Sequence, residues 1–353
     1  MTVTGGDADR SPADGASPGP LVSAATTPSP DLAPLDELAS LDPEDLAPSA
    51  AATSMASPTP AVPVIGYIAL DETQAYVQDV GRGLRNAAQA AGVELLECDS
   101  GWTRAGTRAC ARQLAAAGVT GVVSMQPFGD LSADVCATLG DVPTVGIVYE
   151  QGPCQVSLLH VDQAESGRLA GSALGALAAD RWECNVKAFL SLESGPDDPI
   201  GGARMDGFRE GFREHCQLPE KKTRLDDAQF FVTARRQVED TLDQIKGKPI
   251  IAAAVSDIAA LGALEAADRA GRPNHVWAAG QLAETDARAA IACDQHFVAS
   301  VAQFPERFGD LVLPVLLDAA AGMTVPARLD AELALVSAEN VRELFPDTPA
   351  CDA

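Results

Sequence analysis

The chain has 353 residues, of which 46% are hydrophobic, and this supplies enough apolar surface for two domains with sizeable cores. The formal net charge is -25 at pH 7. It argues against nucleic acid and anionic membranes as partners, because affinity for phosphates depends largely on Lys and Arg. No run of about 18 apolar residues occurs, and no basic start precedes an apolar stretch, so the sequence predicts neither a membrane span nor an export signal.

Residues 1–63 differ from the rest of the chain in composition. They hold eleven of the 24 prolines, nine acidic residues against the single Arg10, and no aromatic side chain. Such a segment cannot bury enough apolar area to offset the entropy of ordering, so we predict a disordered acidic, Pro- and Ala-rich tail over residues 1–62. Four leucines spaced by three residues, from Leu32 to Leu41, leave a short partner-binding helix as the alternative.

Deletion of residues 1–62 is expected to leave the melting temperature of the remaining chain almost unchanged, because this segment lacks a core-forming composition. Scanning calorimetry of the full and shortened chains measures the difference. A drop of many degrees would show that the tail packs on the body.

From Val64 onward, apolar strands alternate with amphipathic helices. The predicted strands are 64–70, 93–97, 121–125, 144–148, 158–161, 186–192, 250–254, 275–279 and 297–302. The predicted helices are 74–91, 103–117, 163–181, 202–215, 234–245 and 257–270. This alternation predicts an α/β protein of two lobes, each a parallel sheet flanked by helices.

Short motifs at the ends of these strands and helices carry a family resemblance. They are Gln74-Ala75-Tyr76-Val77, Asp99-Ser100, Gln126-Pro127, Val142-Pro143, Asp162-Gln163, Arg204-Met205-Asp206-Gly207-Phe208, Ser256-Asp257, Leu261-Gly262-Ala263-Leu264, and Val301-Ala302-Gln303 with Pro305. In order and spacing the chain resembles, over about residues 62–346, the type I periplasmic-binding-protein superfamily. The similarity is to its ribose- and galactose-binding branch, which is shared with the ligand-binding part of lac-repressor-type regulators.

This resemblance implies both an architecture and a function. We expect an N-terminal lobe from 63–160 plus 304–332 and a C-terminal lobe from 161–303 plus 333–346. A multi-strand hinge would join the lobes. They would close over a small molecule such as a sugar or another carbohydrate-like compound, for an ABC permease or a membrane sensor outside the cytoplasm. The alternative is a cytoplasmic ligand-sensing regulator without its own DNA-binding domain, because residues 1–60 are too rich in proline and acid for a helix-turn-helix.

The chain departs from the family at positions that usually hold sugar hydroxyls. Where the family has an Asp-Arg pair, an Arg and an Asp, this sequence has Val148 with Tyr149, Gly202 and Leu282. Charged groups of that kind fix hydroxyls or carboxylates, so their absence leaves the ligand class open.

Aromatic and uncharged polar residues occupy the predicted strand ends instead. Ligands of open α/β sheets bind at the carboxyl ends of strands, where rings stack on the ligand and amides fix its edges. The candidate ligand-binding residues are Gln74, Tyr76, Trp102, Phe128, Tyr149, Phe230, Ser256, Gln281 and Gln303. Tyr76 and Gln303 are the strongest candidates, while ordinary packing is the alternative for any single aromatic residue.

Catalysis and cofactors find little support in the sequence. It contains no Gly-x-Ser-x-Gly, no phosphate-binding Gly-x-x-x-x-Gly-Lys-Ser/Thr loop, no His-Glu-x-x-His and no Cys-x-x-Cys. The four histidines are scattered. We therefore predict neither an enzyme, nor a metal site, nor a cofactor.

The eight cysteines predict disulfides in an oxidising compartment, with buried free thiols as the alternative. The best pair is Cys184 with Cys216, because a strand and the helix that follows it bring these two ends to the same side. Cys293 with Cys351, and Cys136 with Cys154, are further candidate pairs. Together with the family resemblance, they favour an extracytoplasmic location.

Overall fold

The computed structural model describes residues 62–351, so the predicted tail, apart from Val62, lies outside the described residues. The first half of the chain forms β1 (Val64–Ala69), α1 (Ala75–Ala91), β2 (Glu94–Asp99), α2 (Arg104–Ala117), β3 (Gly121–Ser124), α3 (Ser132–Leu139), β4 (Thr144–Ile147) and β5 (Gln155–His160). These strands run parallel because the crossover after each of β1, β2, β3 and β4 returns the chain to the same end of the sheet.

The second half repeats this alternation. It contains α4 (Gln163–Trp182), β6 (Ala188–Leu192), α5 (Pro199–Arg213), β7 (Lys222–Leu225), α6 (Phe231–Leu242), β8 (Ile250–Ala254), α7 (Asp257–Arg269), β9 (Val276–Ala279), α8 (Thr285–Cys293) and β10 (Phe297–Ala302). The chain then continues through α9 (Phe308–Ala320), β11 (Arg328–Asp330), β12 (Ala334–Ser337) and α10 (Val341–Leu344).

Two six-stranded sheets result, one in each lobe. The first has the order β11-β5-β4-β3-β1-β2 and the second β12-β10-β9-β8-β6-β7. The predicted α/β fold of two lobes is confirmed, with one difference: β12 pairs antiparallel with β10 at the edge of the second sheet. The central strands β3, β4, β6, β8 and β9 are buried at every position, as expected for parallel sheets covered by helices on both faces.

The chain passes between the sheets three times. These crossings lie at residues 161–162 after β5, at 303–304 after β10, and at 331–333 between β11 and β12. All three lie toward the same side of the two sheets, because β5, β10, β11 and β12 occupy that side of the strand order. They form the multi-strand hinge that the sequence predicted.

Helices α4 and α5 pack so closely that only glycine fits at their contact. A side chain at Gly167 would collide with the carbonyl oxygen of Arg204, and one at Gly207 would collide with that of Ala164. Because α4 begins at Gln163, directly after a crossing, this close packing brings the first turn of α5 to the cleft between the lobes.

All eight cysteines are paired in the structure. The predicted disulfides Cys184–Cys216, Cys136–Cys154 and Cys293–Cys351 are confirmed. A fourth, Cys98–Cys110, was not predicted and joins the end of β2 to α2.

Sequence periodicity placed several element boundaries incorrectly. Helix α5 begins at Pro199 rather than at 202, because Asp198 caps it by accepting a hydrogen bond from the Ile200 N–H at 3.0 Å. Helix α6 begins at Phe231 rather than at 234. The predicted element list also lacked several elements that the structure contains: α3, β7, α8, α9, β11, β12 and α10.

Candidate functional site

A chain of hydrogen bonds connects the two lobes across the cleft. The Tyr76 hydroxyl, on α1 of the first lobe, donates to Oε1 of Gln303 in the second crossing at 2.9 Å. Nε2 of Gln303 donates to Oε1 of Gln163 at 3.5 Å, and Nε of Arg204 donates to the same oxygen at 2.6 Å. The predicted pair Tyr76 and Gln303 therefore meets, although 227 residues separate the two.

The local backbone explains why these side chains point into the cleft. Asp162 caps α4 by accepting from the Glu165 N–H at 2.9 Å, so the next residue, Gln163, begins the helix at the crossing. The ring of Tyr76 packs edge-on against Phe308 with centroids 6.2 Å apart, which leaves its hydroxyl free to reach Gln303.

Arg204 lies at the centre of this interlobe network. Besides Gln163, its guanidinium donates to the Val255 carbonyl oxygen at 3.1 Å, so both acceptors are uncharged. Burial lowers the pKa of Arg204, and the nearby Tyr76, Tyr149, Asp198 and Asp257 oppose that shift. The Arg204 guanidinium is therefore a hydrogen-bond donor placed where the first lobe faces the second.

Tyr149 reaches the same region from the end of β4. Val148 adopts a left-handed backbone conformation with φ 65°, which turns the chain sharply before Tyr149. Burial raises the pKa of Tyr149 to about 12, with Asp198 raising it further and Arg204 lowering it. The charges of Asp198 and Arg204, in the opposite lobe, therefore act on Tyr149.

Two buried polar atoms near the network have no protein partner. They are Nε2 of Gln163 and Oδ1 of Asp257. The other Asp257 oxygen accepts from the Glu284 N–H at 2.8 Å, and burial raises the pKa of this carboxyl to about 8. Buried polar groups are rarely left unpaired, so a bound polar ligand or water is expected at the Gln163 amide.

A cavity of about 400 Å³ lies between α1 and the second lobe, beside Tyr76. Its walls include Leu282 and Ala283 from the loop after β9 and Phe304 from the second crossing. Charged side chains from both lobes also line it: Asp79, Arg82, Glu284, Arg288, Glu306 and Asp347. The volume lies in the range of small-molecule pockets.

The remaining predicted site residues are more dispersed. Gln281 is fully buried, and its amide pairs with Ser166 of α4. Ser256 caps α7 and donates to the Gln229 carbonyl oxygen at 2.7 Å. Gln74 precedes α1 and contacts Asp71 at 3.4 Å.

Three predicted aromatic residues lie on outer loops rather than beside Tyr76. Trp102 and Phe230 are 45% and 47% exposed. Phe128 is half-buried beneath the guanidinium of Arg104, which lies 5.3 Å from the ring centroid.

Sequence reasoning did not select Gln163, Arg204 or Asp257 as site residues. Each belongs to a motif that carried the family resemblance, but nothing in the local pattern indicated that its side chain faces the cleft. Only the positions of these residues in the chain could have indicated the cleft. Gln163 directly follows a predicted crossing, and Asp257 follows the end of a buried strand.

The chain matches the model of a known protein family. The family described as "Periplasmic binding protein domain" matches residues 65–324. The chain belongs to this family. The resemblance predicted from the strand-end motifs is thereby confirmed. No curated protein sequence matches the chain.

Several solved structures share the fold of this family member. A Mycobacterium smegmatis protein in complex with β-D-fucofuranose has a TM-score of 0.69 at 18% identity, covering 81% of this chain and 95% of that one. An ABC transporter periplasmic solute binding protein from Actinobacillus succinogenes with bound D-allose has a TM-score of 0.68 at 15% identity, covering 80% and 99%. A solute binding protein from Bacillus halodurans with bound myo-inositol has a TM-score of 0.68 at 18% identity, covering 82% and 99%.

Membership of the periplasmic binding protein family identifies the chain as a binding protein rather than an enzyme. Among residues 62–351, no helix is both long and apolar enough to cross a membrane.

Proposed function

We propose that this chain is a solute-binding protein that closes its two lobes over a sugar or sugar-like molecule and presents the closed form to an ABC permease or a membrane sensor. The interlobe network of Tyr76, Gln303, Gln163 and Arg204 carries the proposal. Phenol, amide and guanidinium groups from both lobes and the crossings can bind hydroxyl groups only when the lobes are together.

The chemistry of the site suits a polyhydroxylated ligand. The unpaired Gln163 amide supplies a donor, while the Tyr76 and Tyr149 rings supply flat faces beside hydrogen-bonding hydroxyls. The structural neighbours with bound β-D-fucofuranose, D-allose and myo-inositol support the same ligand class. The alternative, a cytoplasmic ligand-sensing regulator without its own DNA-binding domain, is not supported by these neighbours.

We also propose that the protein works outside the cytoplasm. Its four disulfides fit an oxidising compartment, and its family is described as periplasmic. Two of them, Cys136–Cys154 and Cys98–Cys110, brace the first lobe, so an extracytoplasmic site would protect that lobe from reduction.

A thermal-shift screen tests the ligand class. The panel contains D-galactose, L-arabinose, D-allose, D-glucose, myo-inositol and two nucleosides. A ligand at about 100 times its Kd stabilises the folded state by about 2.7 kcal/mol, and we expect a sugar or polyol to raise the melting temperature by about 5 °C or more. Loss of that shift in Gln303→Ala would place the ligand at the interlobe network, whereas no shift with any sugar or polyol would contradict the proposal.

A further inference from the structure

Exposed apolar side chains concentrate on two loops of this protein. Among residues 62–351, seven large apolar side chains are exposed, and four of them lie on these loops. One loop follows β2 and carries Trp102, which is 45% exposed. The other follows β7 and carries Phe230, and we count with it the first two residues of α6, Phe231 and Val232; the three side chains are 47%, 38% and 63% exposed. We call the two loops the mouth lips.

The topology places one lip on each lobe, at the side of the cleft farthest from the hinge. Strands β2 and β7 are the edge strands of their sheets, on the side opposite the strands that lead into the crossings. Both run parallel to their neighbours, so their carboxyl ends point to the cleft like those of β5 and β10. The lips therefore border the mouth of the cleft from opposite lobes.

The first lip is held firmly in place. Trp102 adopts a left-handed backbone conformation with φ 52°, which is uncommon for a bulky residue, and its N–H donates to the Leu70 carbonyl oxygen at 2.7 Å. The turn lies inside the loop closed by the Cys98–Cys110 disulfide. Thr103 caps the helix that follows by accepting from the Gly106 N–H at 3.0 Å.

The second lip is anchored from a neighbouring helix. The Ser256 hydroxyl at the start of α7 donates to the Gln229 carbonyl oxygen at 2.7 Å. The Phe230 carbonyl oxygen then accepts from the Thr233 hydroxyl at 3.0 Å and from the Ala234 N–H at 2.9 Å. Two fixed loops thus present aromatic rings to water. Covering these rings with an apolar surface lowers the free energy.

We propose that the mouth lips form a second subsite, which binds the aromatic or apolar aglycone of a glycoside whose sugar lies in the cleft. This proposal rests on the proposed function, and it extends the ligand from a free sugar to an aryl or alkyl glycoside. Each lip is bonded to the strand end next to it on the cleft side, through Leu70 after β1 and Ser256 after β8, so the aglycone of a bound glycoside can reach the lips. Residues 1–63 are a poorer partner for these rings, because they carry nine acidic side chains and no aromatic one.

Matched ligand pairs test the proposal by isothermal calorimetry on the full chain. The sugars are D-galactose, D-glucose and L-arabinose, and each is compared with its own 4-nitrophenyl glycoside. In at least one pair we expect the glycoside to bind roughly tenfold more tightly than the free sugar, because stacking and burial of the nitrophenyl ring add to the sugar contacts. Trp102→Ala and Phe231→Ala are expected to bring this affinity ratio close to one. Leu311→Ala, which removes an exposed apolar side chain on α9, is the matched control and should leave the ratio unchanged.

The outcomes separate this proposal from the one on which it rests. Free sugars that bind as tightly as their glycosides, or a ratio that survives both lip variants, would overturn the aglycone subsite and leave the sugar-binding function standing. Binding of 4-nitrophenol alone as tightly as the glycosides would overturn it as well, because the contact would then not depend on the sugar. Failure of every sugar and every glycoside to bind would overturn both proposals.

Discussion

Complete reduction of the four disulfides is expected to unfold the protein at moderate temperature. Each disulfide in a small domain contributes about 2–4 kcal/mol, and four together approach the whole stability of a typical domain, which is about 5–15 kcal/mol. The loops that they close differ in length, from a sequence separation of 12 for Cys98–Cys110 to 58 for Cys293–Cys351. In the chain-entropy description, the longer loop stabilises more.

Urea unfolding with and without dithiothreitol measures this loss. The paired variant Cys98→Ser with Cys110→Ser is expected to lose less stability than Cys184→Ser with Cys216→Ser, whose loop has a separation of 32. Mass spectrometry of non-reduced peptides should first show Cys184 linked to Cys216. An unchanged urea midpoint after full reduction, or free thiols in protein purified from an oxidising compartment, would contradict the role given to the disulfides.

The second large effect is a pH dependence that arises from Asp257. Burial raises the pKa of this carboxyl from 3.8 to about 8, so the folded protein keeps a proton that the unfolded chain releases above its lower pKa. Its contribution to stability is therefore fully present below about pH 4. Between about pH 4 and pH 8 the free energy of unfolding falls by about 1.4 kcal/mol per pH unit because of this group. Above about pH 8 the group causes no further change.

Asp257→Asn tests this dependence, because the amide is a neutral group of the same shape. The free energy of unfolding, measured by urea titration from pH 5 to pH 9, should fall with pH less steeply in the variant than in the wild type. Near pH 8 the variant is expected to be the more stable protein. Part of the slope should remain, because burial also raises the pKa of Glu284. Equal slopes in the two proteins would show that Asp257 is not a buried neutral carboxyl.

The fold could be predicted largely from the sequence because its signal is local. Strand β8 is an unbroken apolar run and β10 is apolar apart from Ser300, and the predicted limits of both match the observed ones. Short or mixed elements escaped prediction because their burial depends on distant neighbours. For example, β12 joins the sheet only through antiparallel pairing with β10.

The candidate site was predictable only in part. Tyr76 and Gln303 could be paired because each follows a strand whose end faces the cleft. Arg204 and Gln163 meet because glycines let α4 and α5 approach closely, and no local pattern reports a contact between two helices. Trp102 follows the predicted strand β2, whereas β7, which leads to Phe230, was not predicted. The distance of both residues from the hinge follows from the strand order of the complete sheets.

The proposal that the lobes close over a sugar is tested most directly at Tyr76 and Gln303. Calorimetric titration uses the panel sugar that gives the largest thermal shift and compares the wild type with Tyr76→Ala, Gln303→Ala and the control Gln89→Ala, which changes an exposed residue of α1. Loss of the Tyr76 ring should cost on the order of 1–3 kcal/mol of binding free energy, and loss of the Gln303 amide about 1 kcal/mol or more. The control should bind as the wild type does. Wild-type affinity in both site variants would contradict the proposal and place the ligand elsewhere.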